Sequence, residues 1–232
     1  MSAVMDYAPL LWQGLLTTIL VTVLSGALCV VVAFAAGLAR LSRHRFLSWP
    51  AGIFIEVFRG TSLLVQMFWL FFALPFFGIQ LHPVTAAVLA LGLNEGAYAA
   101  EVVRGAIASR AKGQTEACIA LGMEPALRLR RIIIPQSIPA MLPPFGNVMV
   151  DLLKNTSLVS LVTVADLTFS AQMIRSTTGQ TTAIFLTILV VYFVLSYLLT
   201  LLTGWLERRF ALDRKALVAQ RKESRLMKVG AA

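Results

Sequence analysis

Charge is what this sequence has least of. Asp, Glu, Lys and Arg make up only 13% of its 232 residues, about half the share of a soluble domain, and the mean hydropathy is +0.81. The 58% of apolar residues come in long runs instead of amphipathic spacing, which excludes a soluble globular fold. Cysteine is also scarce: Cys29 lies in an apolar run and Cys118 in a basic segment, which argues against a disulfide. The two histidines, His44 and His82, have no metal-ligand spacing around them, so no metal site is visible. No GxxxxGK[ST], GxSxG or HExxH pattern occurs, so hydrolysis of nucleotide or peptide by this chain alone is not expected, and no cofactor is implied. An intramembrane enzyme is equally disfavoured, because no nucleophile, base and oxyanion donor stand at a recognisable spacing.

What is present is apolar length. A helix rising about 1.5 Å per residue needs about 20 apolar residues to cross a hydrocarbon core of about 30 Å. Five stretches are of this kind, at about 10–38, 60–78, 84–108, 138–164 and 182–206. No Lys or Arg precedes the first, and its run exceeds the usual apolar region of a signal peptide, about 7–15 residues, so it is expected to be a retained span. The expected fold class is an all-α integral membrane protein, one transmembrane domain over 1–232 with five helices. Sixteen of the 20 lysines and arginines follow the first span, follow the third, or lie in the tail at 207–232. Positively charged loops stay in the cytoplasm, so the N-terminus is expected outside and the C-terminus inside. The net charge of +9 thus reads as a topology signal, with the tail placed to touch anionic lipid heads, and not as a nucleic-acid surface.

The basic segment 110–135 contains a short helical pattern. Ala117, Ala120 and Leu121 recur at offsets of three and four, Thr115 is a candidate N-cap, Glu116 suits the first turn and Gly122 can end the helix. Such a helix is either an ordinary surface connection or a segment that docks in a partner's groove. The stretch Glu116-Ala117-Cys118, then Gly122, then Ile132, Ile134 and Pro135 resembles the Glu-Ala-Ala signature of membrane subunits in binding-protein-dependent ABC importers, with Cys118 in place of Ala and Ile134 in place of Leu. Three further segments, Phe58 to Gln66, Gly96 to Gly105 and Lys154 to Ser160, are similar to the polar amino acid permeases, the histidine, glutamine and arginine uptake group. In that group a proline commonly stands where Ser62 is, and an aspartate where Asn155 is. The resemblance runs from about Gly14 to Arg209.

This resemblance implies an ABC type I importer permease-like subunit of a prokaryotic inner membrane. Such a subunit pairs with a second permease, identical or related, binds two cytoplasmic ATP-binding subunits, and receives a small polar amino-acid-like solute from an extracytoplasmic solute-binding protein. It also implies that the loop is a coupling helix region, to which Glu116, Ala117, Gly122, Ile132 and Pro135 belong. ATP hydrolysis then resides in another chain, and this one is no enzyme. The alternative is a secondary ion-coupled transporter using Glu95, Glu101 and Asp151, but such proteins usually show internal repeats and more spans.

Charges inside the spans are expensive unless paired or hydrated. Asp151 and Lys154, three apart and on one helix face, are either a self-neutralised pair or, with Asn155, Thr156 and Ser157, part of a substrate pathway contacting a zwitterion. Pro143 and Pro144 are expected to break that helix and free backbone groups for such a path. Asn94, inside the third span, is a further pathway candidate. Glu101 and Arg104 read as a structural pair. Arg59, near Glu56 where the second span leaves the interface, reads as an anchor or subunit contact. The aromatic cluster from Phe68 to Phe77 reads as lipid-facing or interface packing.

Overall fold

The computed structural model describes residues 7–210. The tail segment 207–232 therefore falls within it only as the last turn of the final helix, and the rest of that expectation lies outside the described residues. Helix α1, Ala8–Arg40, is followed by α2, Arg45–Gly60. Helix α3, Leu63–Phe68, runs on as a π turn, Trp69–Ala73, and a 3-10 turn, Leu74–Phe77, and stops at Gly78 with φ 82°. Helix α4, Pro83–Ala108, leads to the short α5, Lys112–Ala120, and α6, Pro125–Arg128. After a π turn, Leu129–Ile133, come α7, Ile134–Asn155, a 3-10 segment, Thr156–Val162, then α8, Leu167–Thr178, and α9, Thr181–Phe210.

By length and apolar composition α1, α4 and α9 each suffice to cross a bilayer, and two bent helix pairs bring the crossings to as many as five. Counted as single spans, the bent pairs differ from the expected boundaries. The first then begins at Arg45, not near residue 60, and turns through 104° between Gly60 and Leu63. The second pair reaches back to Pro125 and turns through 51° into α8, which lies beyond the expected end at 164. Asp166 starts α8, its carboxylate accepting from the backbone N–H of Phe169 at 2.8 Å and Thr168 at 3.2 Å, which satisfies two orphan donors of the first turn. Pro143 and Pro144 do not break α7, which is continuous from Ile134 to Asn155. Pro135, Pro139 and Pro143 follow one another about one turn apart, with Pro144 adjacent to the last, so the missing N–H groups gather mostly on one side and the rest of the ladder persists.

Small residues bring α1 and α4 together. A Cβ at Gly37 would lie 2.7 Å from the Ala100 carbonyl oxygen, and one at Gly92 or Gly96 would enter the Leu28 or Val32 side chain; without a hydrophobic drive between helices in lipid, such close approach supplies the packing attraction. One core cluster joins Val21, Met67, Leu91 and Val159, and another joins Cys29, Val103, Ile133 and Leu152. Both clusters are built on α4, which is buried on most sides. Helix α9 buries only Ile184 and Ile188 and presents the rest of its apolar surface outward. Phe68, Trp69, Phe72, Phe76 and Phe77 are likewise exposed, whereas Phe71 packs on the first cluster.

Candidate functional site

Ending a helix inside a bundle leaves its last carbonyls without intrahelical partners. At the end of α2 three of the last four find side chains. Thr61 Oγ1 donates to Val57 O at 2.7 Å. Phe58 O accepts from Gln66 Nε2 and from Asn94 Nδ2, each at 2.9 Å. Arg59 O accepts from Tyr98 Oη at 3.3 Å. The amides are themselves tied together, since Asn94 Nδ2 also donates to Gln66 Oε1 at 3.1 Å, and Gln66 Nε2 to Thr61 Oγ1 at 2.7 Å. Thr61 and Ser62 are extended, with ψ of 154° and 131°. The break is thus a built feature in which polar side chains of α3 and α4 replace the missing helical bonds.

Beside it lies a cavity of about 420 Å³, lined by Thr61, Ser62, Leu63, Asn94, Glu95, Tyr98, Val148, Asp151, Lys154 and Asn155. Glu95 is buried and accepts from Asn155 Nδ2 at 2.8 Å, which ties α4 to α7. Lys154 Nζ stands 3.6 Å from Asp151 Oδ1, and both side chains are more than half exposed, at 59% and 62%. Of the expected pathway residues, Asn94, Asp151, Lys154 and Asn155 come together here. Thr156 and Ser157 do not line the cavity: Thr156 is fully buried with its hydroxyl on Leu153 O at 2.6 Å, and Ser157 Oγ turns back to Lys154 O at 2.9 Å. These short bonds to preceding carbonyls belong to the 3-10 segment.

Arg104 and Glu101 form a bidentate pair, Nη2 and Nε lying 2.7 and 2.9 Å from Oε2. The Arg59 guanidinium sits 5.2 Å from the centre of the Tyr98 ring. Gln66, Thr61 and Tyr98 were given no role from sequence, and Glu95 only an ion-site role; the signal for all four is a polar side chain within or bordering an apolar run, which demands a partner.

The second cluster of expected residues lies at the far end of α4. Helix α5 begins at Lys112, with Ala111 in the N-cap position, so Thr115 stands inside the helix and is not its cap. Its C-terminus closes as a Schellman motif, Met123 N–H on Cys118 O at 3.0 Å and Gly122 N–H on Ile119 O at 2.9 Å. Gly122 is left-handed at φ 69°. Glu116 and Ala117 are exposed, as are Ile119 and Leu121, at 56% and 79%. Ile132 packs on the second core cluster and Pro135 lies in the first turn of α7, so the segment from α5 to α7 is anchored to the long helices. Among the described residues no group of three His, Cys, Asp or Glu side chains is disposed to hold a metal ion.

Comparison with known proteins yields a consistent set. Residues 29–212 match the model of a family described as binding-protein-dependent transport system inner membrane component. The chain is 44% identical to the probable amino-acid ABC transporter permease protein y4tF of Sinorhizobium fredii, covering 88% of this chain and 90% of that protein. It is 39% identical to the L-cystine transport system permease protein TcyB of Bacillus subtilis, covering 90% and 89%. Among solved structures, a crystal structure of an amino acid ABC transporter with histidines aligns with a TM-score of 0.82 at 36% identity, over 88% of this chain and 96% of that one.

Proposed function

Because the chain belongs to the inner membrane components of binding-protein-dependent transport systems, we propose that it forms one wall of the path by which polar amino acids or amino-acid-like solutes are imported. As a member of that family it is a multi-pass permease subunit and no enzyme, and it works with an ATP-binding subunit and a substrate-binding protein. The alternative of an ion-coupled secondary transporter gives way to this membership.

The observation that carries the amino-acid reading is the character of the cavity at the helix break. It brings one ammonium, Lys154, beside two carboxyl groups, Asp151 and Glu95. It also borders the carbonyl end of α2 and the N–H end of α3, which carry opposite partial charges. A zwitterion offers the complement of both. Asn155 adds an uncharged donor and Asn94, whose two N–H groups are taken by Phe58 O and Gln66 Oε1, an uncharged acceptor, whereas Thr156 and Ser157 support the segment from behind.

Asp151 and Lys154 are largely exposed along α7, where lipid would disfavour each by about 2.5–3.5 kcal/mol at the bilayer centre. A second permease subunit, identical or related, covers them and completes the path, and each permease engages one ATP-binding subunit. Glu116, Ala117 and Gly122 form the coupling surface, with Ile119 and Leu121 as its apolar contacts, while Ile132 and Pro135 transmit their displacement to α7. The basic loops set the N-terminus outside and the C-terminus in the cytoplasm.

The test is uptake of radiolabelled polar amino acids into proteoliposomes containing this chain with its ATP-binding and solute-binding partners. ATP-dependent accumulation is expected. Accumulation that follows an ion gradient and ignores ATP would overturn the reading.

A further inference from the structure

The largest cavity described in the chain is not at the helix break. It has a volume of about 1020 Å³ and lies among the α1–α2 turn, the end of α4, the start of α5 and α6. Four permanent cations reach it, Arg43, Arg110, Lys112 and Arg128, with His44 beside them and Glu116 as the opposing charge. Below this rim the wall is apolar, formed by residues such as Leu38, Ile107 and Ile133. Arg110 is committed on one side only: Nη1 donates to Gln136 O at 3.1 Å, while its buried Nε has no hydrogen-bond partner among the described residues. A buried guanidinium N–H left in this way calls for an acceptor.

Two spans, α1 and α4, end at this level, at Arg40 and Ala108, so the cavity stands where the hydrocarbon core gives way to the headgroups. A basic rim over an apolar floor suits a ligand with an anionic head and a hydrocarbon body. A free phosphate would leave the floor unused. We propose that an anionic phospholipid of the cytoplasmic leaflet occupies this cavity, its phosphate held by Arg43, Arg110 and Arg128 and the start of its acyl chains lying on Leu38 and Ile107. The lipid thereby braces the first turn of α5 against the ends of α1 and α4. The inference rests on the topology proposed above, in which this end of the bundle faces the cytoplasm.

The experiment uses the permease purified with its ATP-binding subunit in nanodiscs of phosphatidylglycerol and phosphatidylcholine, released and weighed intact by native mass spectrometry. Phosphatidylglycerol is expected to be retained over phosphatidylcholine. The triple variant R43Q/R110Q/R128Q should lose it by about a hundredfold in affinity, on the order of one factor of five per surface cation. The R130Q/R131Q variant, whose arginines do not line the cavity, should retain it. Millimolar inorganic phosphate should not displace the lipid; displacement would assign the site to a free anion and overturn the proposal. Equal retention of both lipids by the unaltered complex would also overturn it, whether or not the triple variant assembles. Loss of the ATP-binding subunit from the triple variant with lipid still bound would mark the cavity as part of the protein interface instead. Failure of the unaltered complex to hold an ATP-binding subunit at all would count against the importer reading, separately from the lipid result.

Discussion

Asn94 reaches from the middle of α4 to the carbonyl oxygen of Phe58 at 2.9 Å, and this bond joins the third span to the broken end of the second. Phe58 O has one other side-chain donor, Gln66 Nε2, so the two amides share the task of replacing helical bonds at the break. Asn94 is buried, and removing one partner of a buried hydrogen bond costs about 1–3 kcal/mol. The variant N94A is expected to lower the melting temperature of the purified complex and to reduce uptake. N94D, which keeps the shape but removes the donating amide, should be at least as harmful. Unchanged melting and uptake in N94D would show that the amide does not hold the break.

Glu95 and Asn155 test charge against hydrogen bonding. Asn155 Nδ2 donates to Glu95 Oε1 at 2.8 Å, and a glutamine at 95 still presents an accepting oxygen there. E95Q should therefore fold and assemble normally, whereas E95L leaves the Asn155 amide unpaired and should be less stable by about 1–3 kcal/mol. If the carboxyl group also reads the ammonium of the solute, E95Q should raise the KM for uptake by about tenfold, the effect of roughly 1.4 kcal/mol, with little change in complex yield. Wild-type KM in E95Q would remove Glu95 from the solute's surroundings.

The long apolar helices were legible in the sequence: α1 and α9, and α4 despite its Glu95, Glu101 and Arg104, lie within a few residues of the stretches at 10–38, 182–206 and 84–108. Helix α2 was not. Arg45, Pro50, Glu56 and Arg59 interrupt its apolar run along the sequence, so no long uncharged window announces it, and its charged residues gather on one side of the helix. Helix α8 is rich in Thr, Ser and Gln and owes its burial to tertiary contact with α1 and α9, which no local pattern reports; Asp166 just before it was the available signal. The prolines misled in the opposite direction. Their presence in α7 suggested the break, yet the break lies at Thr61 and Ser62, where side chains stood ready to satisfy the freed carbonyls. Asn94, Asp151, Lys154 and Asn155 were singled out as polar residues in apolar spans, and that argument brought them to one cavity without revealing Gln66 or Tyr98 as supports.

Asp151 and Lys154, 3.6 Å apart and both exposed, separate a structural pair from a pair that meets the solute. An exposed ion pair contributes about 0–1 kcal/mol, so neither D151N nor K154Q should strongly change the stability of the complex. Each should nevertheless impair uptake through KM. The reversed pair, D151K/K154D, restores mutual attraction but inverts the charge pattern facing the cavity. Uptake is expected to remain impaired in the reversed variant at normal membrane abundance; recovery would make the pair structural.

Gly37 marks where helix packing tolerates nothing larger. The Cβ of an alanine there would stand 2.7 Å from the Ala100 backbone oxygen, which cannot move without moving α4, whereas a Cβ at Gly105 on α4 meets nothing within 4 Å. Overpacking of this kind costs about 1–3 kcal/mol. G37A is therefore expected to lower the melting temperature of the complex more than G105A, and a reversed order would show that α1 and α4 are less closely held at Ala100 than this geometry requires.

Gly122 offers the cleanest separation of backbone conformation from contact. A Cβ at this position would meet nothing within 4 Å, yet its φ is +69°. Substitution therefore acts through the backbone alone, with a penalty of about 1–2 kcal/mol for most residues in the left-handed region and less for asparagine, which visits it more readily. A β-branched residue is the least suited. Retention of the ATP-binding subunit and ATP-driven uptake should fall in the order Gly, Asn, Ala, Val at position 122, with membrane abundance unchanged. If Val supports coupling as well as Asn does, the left-handed turn after α5 is not what presents Glu116, Ile119 and Leu121 to the ATP-binding subunit. If the expected order holds, the turn conformation itself governs coupling, because no side-chain contact in the subunit is altered by the series.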